Sequence, residues 1–147
     1  MKWFLKFVGI SYLLASCVGD QSIKYLTDLE QANIKGQVIR LVTETYGVDS
    51  PGQTGKLLSV TTEVFNKLGY TITDSTMDLM ANNEIVNFLD YNGDGSLSSM
   101  VTFENGKKQS RMSLSYDGGR CMIINMYDSN DKLQGYYDNI LQTENGL

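Results

Sequence analysis

The stretch Ser110-Arg111-Met112-Ser113-Leu114-Ser115-Tyr116 decides the fold class, because Met112, Leu114 and Tyr116 alternate with Arg111, Ser113 and Ser115. A period of two marks a strand with one buried and one wet face. The pattern recurs on either side. Residues 96–104 put Leu97, Val101 and Phe103 on one side. Residues 120–127 put Met122, Ile124 and Met126 on one face and Cys121, Ile123 and Tyr127 on the other. Since that second face is also apolar, this strand is expected to be covered on both sides. Met112, Leu114, Met122 and Ile124 are the expected contacts between neighbouring strands.

Working outward, turn residues separate the runs at Asn92-Gly93-Asp94-Gly95, Asn105-Gly106, Asp117-Gly118-Gly119 and Ser129-Asn130-Asp131. Asn-Gly and Asp-Gly adopt positive φ at little cost, so each junction favours a tight hairpin. An aromatic residue followed by Asn, Asp or Glu recurs at Phe65, Tyr91, Phe103, Tyr116, Tyr127 and Tyr137. From Tyr91 onward the spacings are 12, 13, 11 and 10 residues, the length of one strand plus one turn. Each aromatic is therefore expected where a strand enters a hairpin. The expectation is an all-β chain, an antiparallel β-meander of consecutive hairpins with about seven or eight strands, forming a single domain after a signal peptide.

The 147 residues are 41% hydrophobic and 20% charged, with one Pro and 14 Gly, which suits one soluble-type domain. The absence of His and the net charge of -5 argue against histidine-dependent catalysis and against a basic nucleic-acid-binding face. Two Cys are too few for a multi-cysteine zinc site.

At the N-terminus, Lys2 and Lys6 flank the start of an apolar run over residues 3–15, too short to span a bilayer comfortably. Residues 1–16 read as a signal peptide, 17–35 as a tether with one possible short helix, and 36–147 as the β-meander domain. Leu14-Ala15-Ser16-Cys17 resembles the lipobox of bacterial lipoproteins. That resemblance implies cleavage before Cys17, a lipid on Cys17, and outer-membrane attachment with the body facing periplasm or exterior. Removing residues 1–16 takes away Lys2 and Lys6, leaving ten basic against seventeen acidic residues, a charge of -7. Anchoring is then expected from acyl chains rather than from attraction to anionic headgroups. With Cys17 lipidated, Cys121 has no partner for an intramolecular disulfide and reads as a small buried hydrophobe.

Phe65-Asn-Lys-Leu-Gly-Tyr70, Tyr91-Asn-Gly-Asp-Gly-Ser-Leu97 and Tyr127-Asp-Ser-Asn-Asp-Lys-Leu133 resemble degenerate tyrosine-aspartate (YD) repeats of the Rhs type. The plan as a whole is similar to small Bacteroidetes lipoproteins, over residues 33–138. The resemblance implies a few hairpins behind a lipid anchor. It does not extend to the cargo-enclosing shell of long Rhs proteins, for which the chain is too short.

Asp90-Tyr-Asn92-Gly-Asp94-Gly95 fits the first half of an EF-hand loop and makes Asp90, Asn92 and Asp94 weak calcium candidates. The twelfth position is Val101 instead of Glu, and Glu104 comes three residues late, so a hairpin turn is the preferred reading and no metal site is expected. Ser59, Ser75, Ser96 and Ser98 have no His to act as base. Asp74 with Asp78, and Asp128 with Asp131, could do acid-base chemistry, but read as solvated turn acids. No catalytic residue and no cofactor are expected. The expected function is a non-catalytic binding or structural module with a protein or glycan partner and no nucleic acid. The alternative is a small inhibitor or immunity protein that neutralises a secreted effector.

Overall fold

The computed structural model describes residues 25–50, 53–118 and 120–138. Eight antiparallel strands form one open sheet in chain order: β1 (Arg40–Ser50), β2 (Gln53–Phe65), β3 (Thr71–Asp78), β4 (Asn83–Tyr91), β5 (Leu97–Glu104), β6 (Lys107–Asp117), β7 (Arg120–Asp128) and β8 (Leu133–Asp138). This is the meander of hairpins that the alternation predicts. All six aromatic-acid or aromatic-amide pairs fall at strand ends, each aromatic being the last or penultimate residue of its strand. Asn105-Gly106 closes β5–β6 with positive φ at both residues, which twists a two-residue turn to match its strands.

Within the stretch read as tether, α1 (Asp28–Gln31) is a single helical turn held by a capping box. The Thr27 hydroxyl accepts from the Glu30 backbone N–H, and the Glu30 carboxylate accepts from that of Thr27. The helix is docked rather than loose. Leu29 is buried, and its backbone N–H donates to the Gly69 carbonyl in the β2–β3 turn.

The main core lies on one face, where Leu97, Met112, Cys121 and Ile124 are buried and Leu89, Tyr91, Met100, Leu114 and Tyr116 pack against them. Two expectations need correction, both because β-bulges reset the alternation. Cys121 shares the core face with Ile124 instead of opposing it. A register shift pairs Ser115 with Ile123 but Tyr116 with Cys121, which leaves Met122 as the extra, half-buried residue. Leu97 likewise leaves the side of Val101 and Phe103. The shift between Asp90 and Tyr91 brings Leu97 opposite Tyr91 and into the cluster. Leu114 packs against the cluster as expected and is half-buried. The buried reading of Cys121 is confirmed, at 3% exposure.

Candidate functional site

Three of the hairpin turns share one backbone design. In each, the amide or acid after the strand-end aromatic donates its N–H to the carbonyl four residues on, and accepts at its own carbonyl from the N–H three residues on. The pairs are Asn66 with Tyr70 and Gly69, Asn92 with Ser96 and Gly95, and Asp128 with Lys132 and Asp131. The fourth residue of each turn, Gly69, Gly95 or Asp131, has positive φ. Side-chain oxygens complete the turns. Asn66 Oδ1 accepts from the Leu68 and Tyr70 N–H groups, and Asp128 Oδ1 accepts from those of Asn130 and Lys132.

In an antiparallel meander the β2–β3, β4–β5 and β6–β7 turns lie at one end, and α1 docks there. Asp28 Oδ2 accepts from the Thr71 N–H at 2.6 Å and lies 3.2 Å from the Tyr91 hydroxyl, which also reaches the Thr71 carbonyl at 3.0 Å. Burial and the Asp28 charge push the Tyr91 phenol far above its ordinary range, so it stays protonated as a donor. Tyr70 stacks on Tyr91 at 4.8 Å between ring centroids, and Tyr25 meets Tyr116 edge-on at 6.2 Å. Beside the tyrosine stack is a groove of about 220 Å³ lined by Asn66, Leu68, Tyr70, Tyr91 and the 92–95 turn.

The calcium candidates serve the hairpin. Asp94 Oδ1 accepts from both the N–H and the hydroxyl of Ser96, which pulls its carboxyl below the ordinary range, and Asn92 Nδ2 donates to the Ser96 hydroxyl. Asp90 lies on β4 and accepts from the Ser99 hydroxyl. Glu104 pairs with Ile85 at the far end of β5. No cluster of three or more His, Cys, Asp or Glu side chains suited to a metal occurs among the described residues. Cys17 and the signal segment lie outside the described residues.

The carboxylates singled out for acid-base work separate by role. Asp78 Oδ1 accepts from the Met80 and Ala81 N–H groups, Asp128 caps its turn, and Asp131 pairs with Lys108 and Arg111 at 2.6 and 2.8 Å. Asp74, expected as a solvated turn acid, is instead mid-strand and half-buried, with Oδ1 buried and without a hydrogen-bond partner. It stands opposite Glu63 in a row that continues through Asn87 and Thr102, linked by Thr102 Oγ1 donating to Asn87 Oδ1 and Asn87 Nδ2 reaching Asp74 Oδ2. Burial raises both carboxyls above their ordinary range, and for Glu63 the nearby Asp74 and Asp28 charges add to it. The sequence missed this pair because only the β2–β3 register puts the two residues opposite each other.

The face opposite the main core carries a row that crosses all eight strands: Arg40, Val64, Thr73, Phe88, Val101, Arg111, Tyr127 and Leu133. Val42, Thr62, Ser75, Val86, Phe103 and Lys108 form the next row. Phe88 packs edge-on against Phe103 at 5.6 Å and is still 47% exposed. Arg111 lies over the Tyr127 ring at 3.8 Å while paired with Asp131, so it is held flat in the band. The sequence showed Val101, Phe103 and Tyr127 as apolar faces of separate strands and Arg111 as a polar alternate, with nothing to join them. Registry joins them into one surface.

No protein-family model and no characterised protein matches the chain. No helix among the described residues is long and apolar enough to cross a membrane.

Proposed function

We propose that the chain is a lipid-anchored, non-catalytic binding module of the cell envelope, tethered to the outer membrane through Cys17 and presenting its open sheet to a protein or glycan partner. The band from Val64 to Leu133 carries this reading. It is a broad surface of aliphatic and aromatic groups, interrupted by a fixed guanidinium, with Phe88 and Leu133 about half exposed. Surfaces that combine exposed aromatics with arginine are suited to recognition. Among the described residues the side chains of Asn66, Asp78, Asp94 and Asp128 are engaged in holding turn backbone, which fits a scaffold. The lipid anchor rests on the lipobox-like Leu14-Ala15-Ser16-Cys17.

Two measurements test the reading. Mass spectrometry of membrane-extracted protein should find an acylated N-terminal Cys17, and Cys17→Ala should remove it from the membrane fraction. Glycan-array and protein-binding profiles should lose their hits with Phe88→Ser combined with Leu133→Ser, while circular dichroism stays unchanged. Binding that survives both substitutions would place recognition elsewhere. Co-purification with a basic secreted effector would instead favour the inhibitor reading.

A further inference from the structure

The sheet is open, so among the described residues β1 and β8 each leave one row of backbone donors and acceptors without a neighbouring strand. Such edges are usually guarded by shortness, bulges, Pro or Lys. β8 is guarded in this way: it has six residues, with a register shift between Met126 and Tyr127 of its neighbour and Gly135 in its middle. The later half of β1 is guarded too, by three register shifts between Thr45 and Ser50. The first half is not. From Arg40 to Thr45 it pairs with β2 in unbroken register and holds neither Pro nor Lys, with Val42 46% exposed and the preceding Ile39 72% exposed.

We propose that this segment is a homodimerisation edge: a second copy of the chain adds its β1 antiparallel to the first about a twofold axis at Val42, joining two sheets into one. Charge selects both the occupant and the register. Arg40 and Glu44 lie on the same face, four residues and about 13 Å apart along the strand, too far to pair with each other. A twofold axis at Val42 sets Arg40 opposite the partner's Glu44 and Glu44 opposite the partner's Arg40. Val42 then meets its own counterpart, while Leu41 meets the partner's Thr43 on the other face. Neighbouring registers are worse. Centring on Thr43 buries Glu44 against Val42, centring on Glu44 opposes two carboxylates, and centring on Arg40 opposes two guanidiniums. Like charges directly opposite across a ladder are destabilising. The Tyr46 hydroxyl donates to Glu44 Oε2 at 2.6 Å, which fixes the carboxylate and leaves its second oxygen for a guanidinium. This contact uses the backbone edge of β1, where Arg40 and Val42 border the band proposed for partner binding, whereas the exposed Phe88 and Leu133 that test that band lie on β4 and β8.

Sedimentation equilibrium of the full chain in non-denaturing detergent, over a micromolar concentration series, tests the proposal. The expected result is a monomer–dimer equilibrium. Arg40→Glu and Glu44→Arg should each raise the dissociation constant by about tenfold or more, because each creates like-charge pairs. The double variant Arg40→Glu with Glu44→Arg should restore dimerisation, which a merely structural role for either residue would not do. Val42→Cys should form an intermolecular disulfide on oxidation, since self-paired residues in an antiparallel ladder lie about 4.5–5.5 Å apart at Cα. Thr45→Cys should not, being about 20 Å from its counterpart. A chain that stays monomeric would overturn the proposal. So would a dimer indifferent to both charge reversals, or a double variant as weak as the single ones.

Discussion

Asp74 has one carboxylate oxygen buried without a partner, so desolvation penalises its ionised form more than the Asn87 hydrogen bond favours it. Glu63, facing it across the ladder, is raised by its own desolvation and by the Asp74 and Asp28 charges. The folded chain therefore binds protons at these two carboxyls more tightly than the unfolded chain does. Stability from the pair is greatest near and below the ordinary carboxylate range, and falls as pH rises through the raised folded range. Asp74→Asn should consequently raise the urea midpoint at neutral pH, with the gain shrinking as pH is lowered toward the ordinary range. A gain independent of pH would mean that the charge is not the cause. Residue-scale packing gives a second expectation. Ile124 is 4% exposed in the main cluster and Ile123, next to it, is 36% exposed on the other face. Ile124→Ala should cost about 2–5 kcal/mol, and Ile123→Ala less than about 1 kcal/mol. Equal losses in urea denaturation would contradict the face assignment. None of this is visible in the local letters, because Asp74 among its polar neighbours reads as a solvated turn acid until β2 is laid beside it.

The element that best links sequence to structure is the strand-end turn. Gly95 has φ +90°, and an added Cβ there would overlap the Tyr70 hydroxyl, whereas Gly93 in the same turn has open space around it and no positive φ. Gly95→Ala should therefore destabilise by about 1–3 kcal/mol, and Gly93→Ala should change little. The comparison is made by thermal melts of the two variants. The same turn bears on calcium. Asp94 Oδ1 and Asn92 Nδ2 are committed to Ser96, and Glu104 is at the other end of β5. Millimolar calcium should leave the melting temperature where chelator leaves it. A rise abolished by Asp94→Ala would show that the loop gathers an ion. The turns were legible because their chemistry is local: Asn, Asp and Gly dictate φ and hydrogen bonding within five residues. The bulges at Met122 and beside Leu97 were not legible, since a bulge is defined against the partner strand.

At the scale of the whole molecule, the described residues form one eight-stranded sheet with no second sheet among them, which concentrates burial in a few strands. Leu97, Met112, Cys121 and Ile124 all come from β5, β6 and β7. Native-state hydrogen exchange should find the slowest amides in β5–β7 and faster exchange in the outer half of β1 and in β8. Uniform protection across all eight strands would indicate a second layer that covers the sheet. The sequence by itself determined the strand-and-turn alternation, the meander order and the burial of Cys121. Period-two patterning and turn chemistry are properties of neighbouring residues, and short hairpin links leave antiparallel order as the simple outcome. Only the tertiary structure decided the register. Through it came the docking of α1 by Asp28 on Thr71 and Tyr91, the opposition of Glu63 and Asp74, and the band from Arg40 to Leu133. These join residues that are tens of positions apart, and a one-residue slip in any pairing would have sent each side chain to the opposite face.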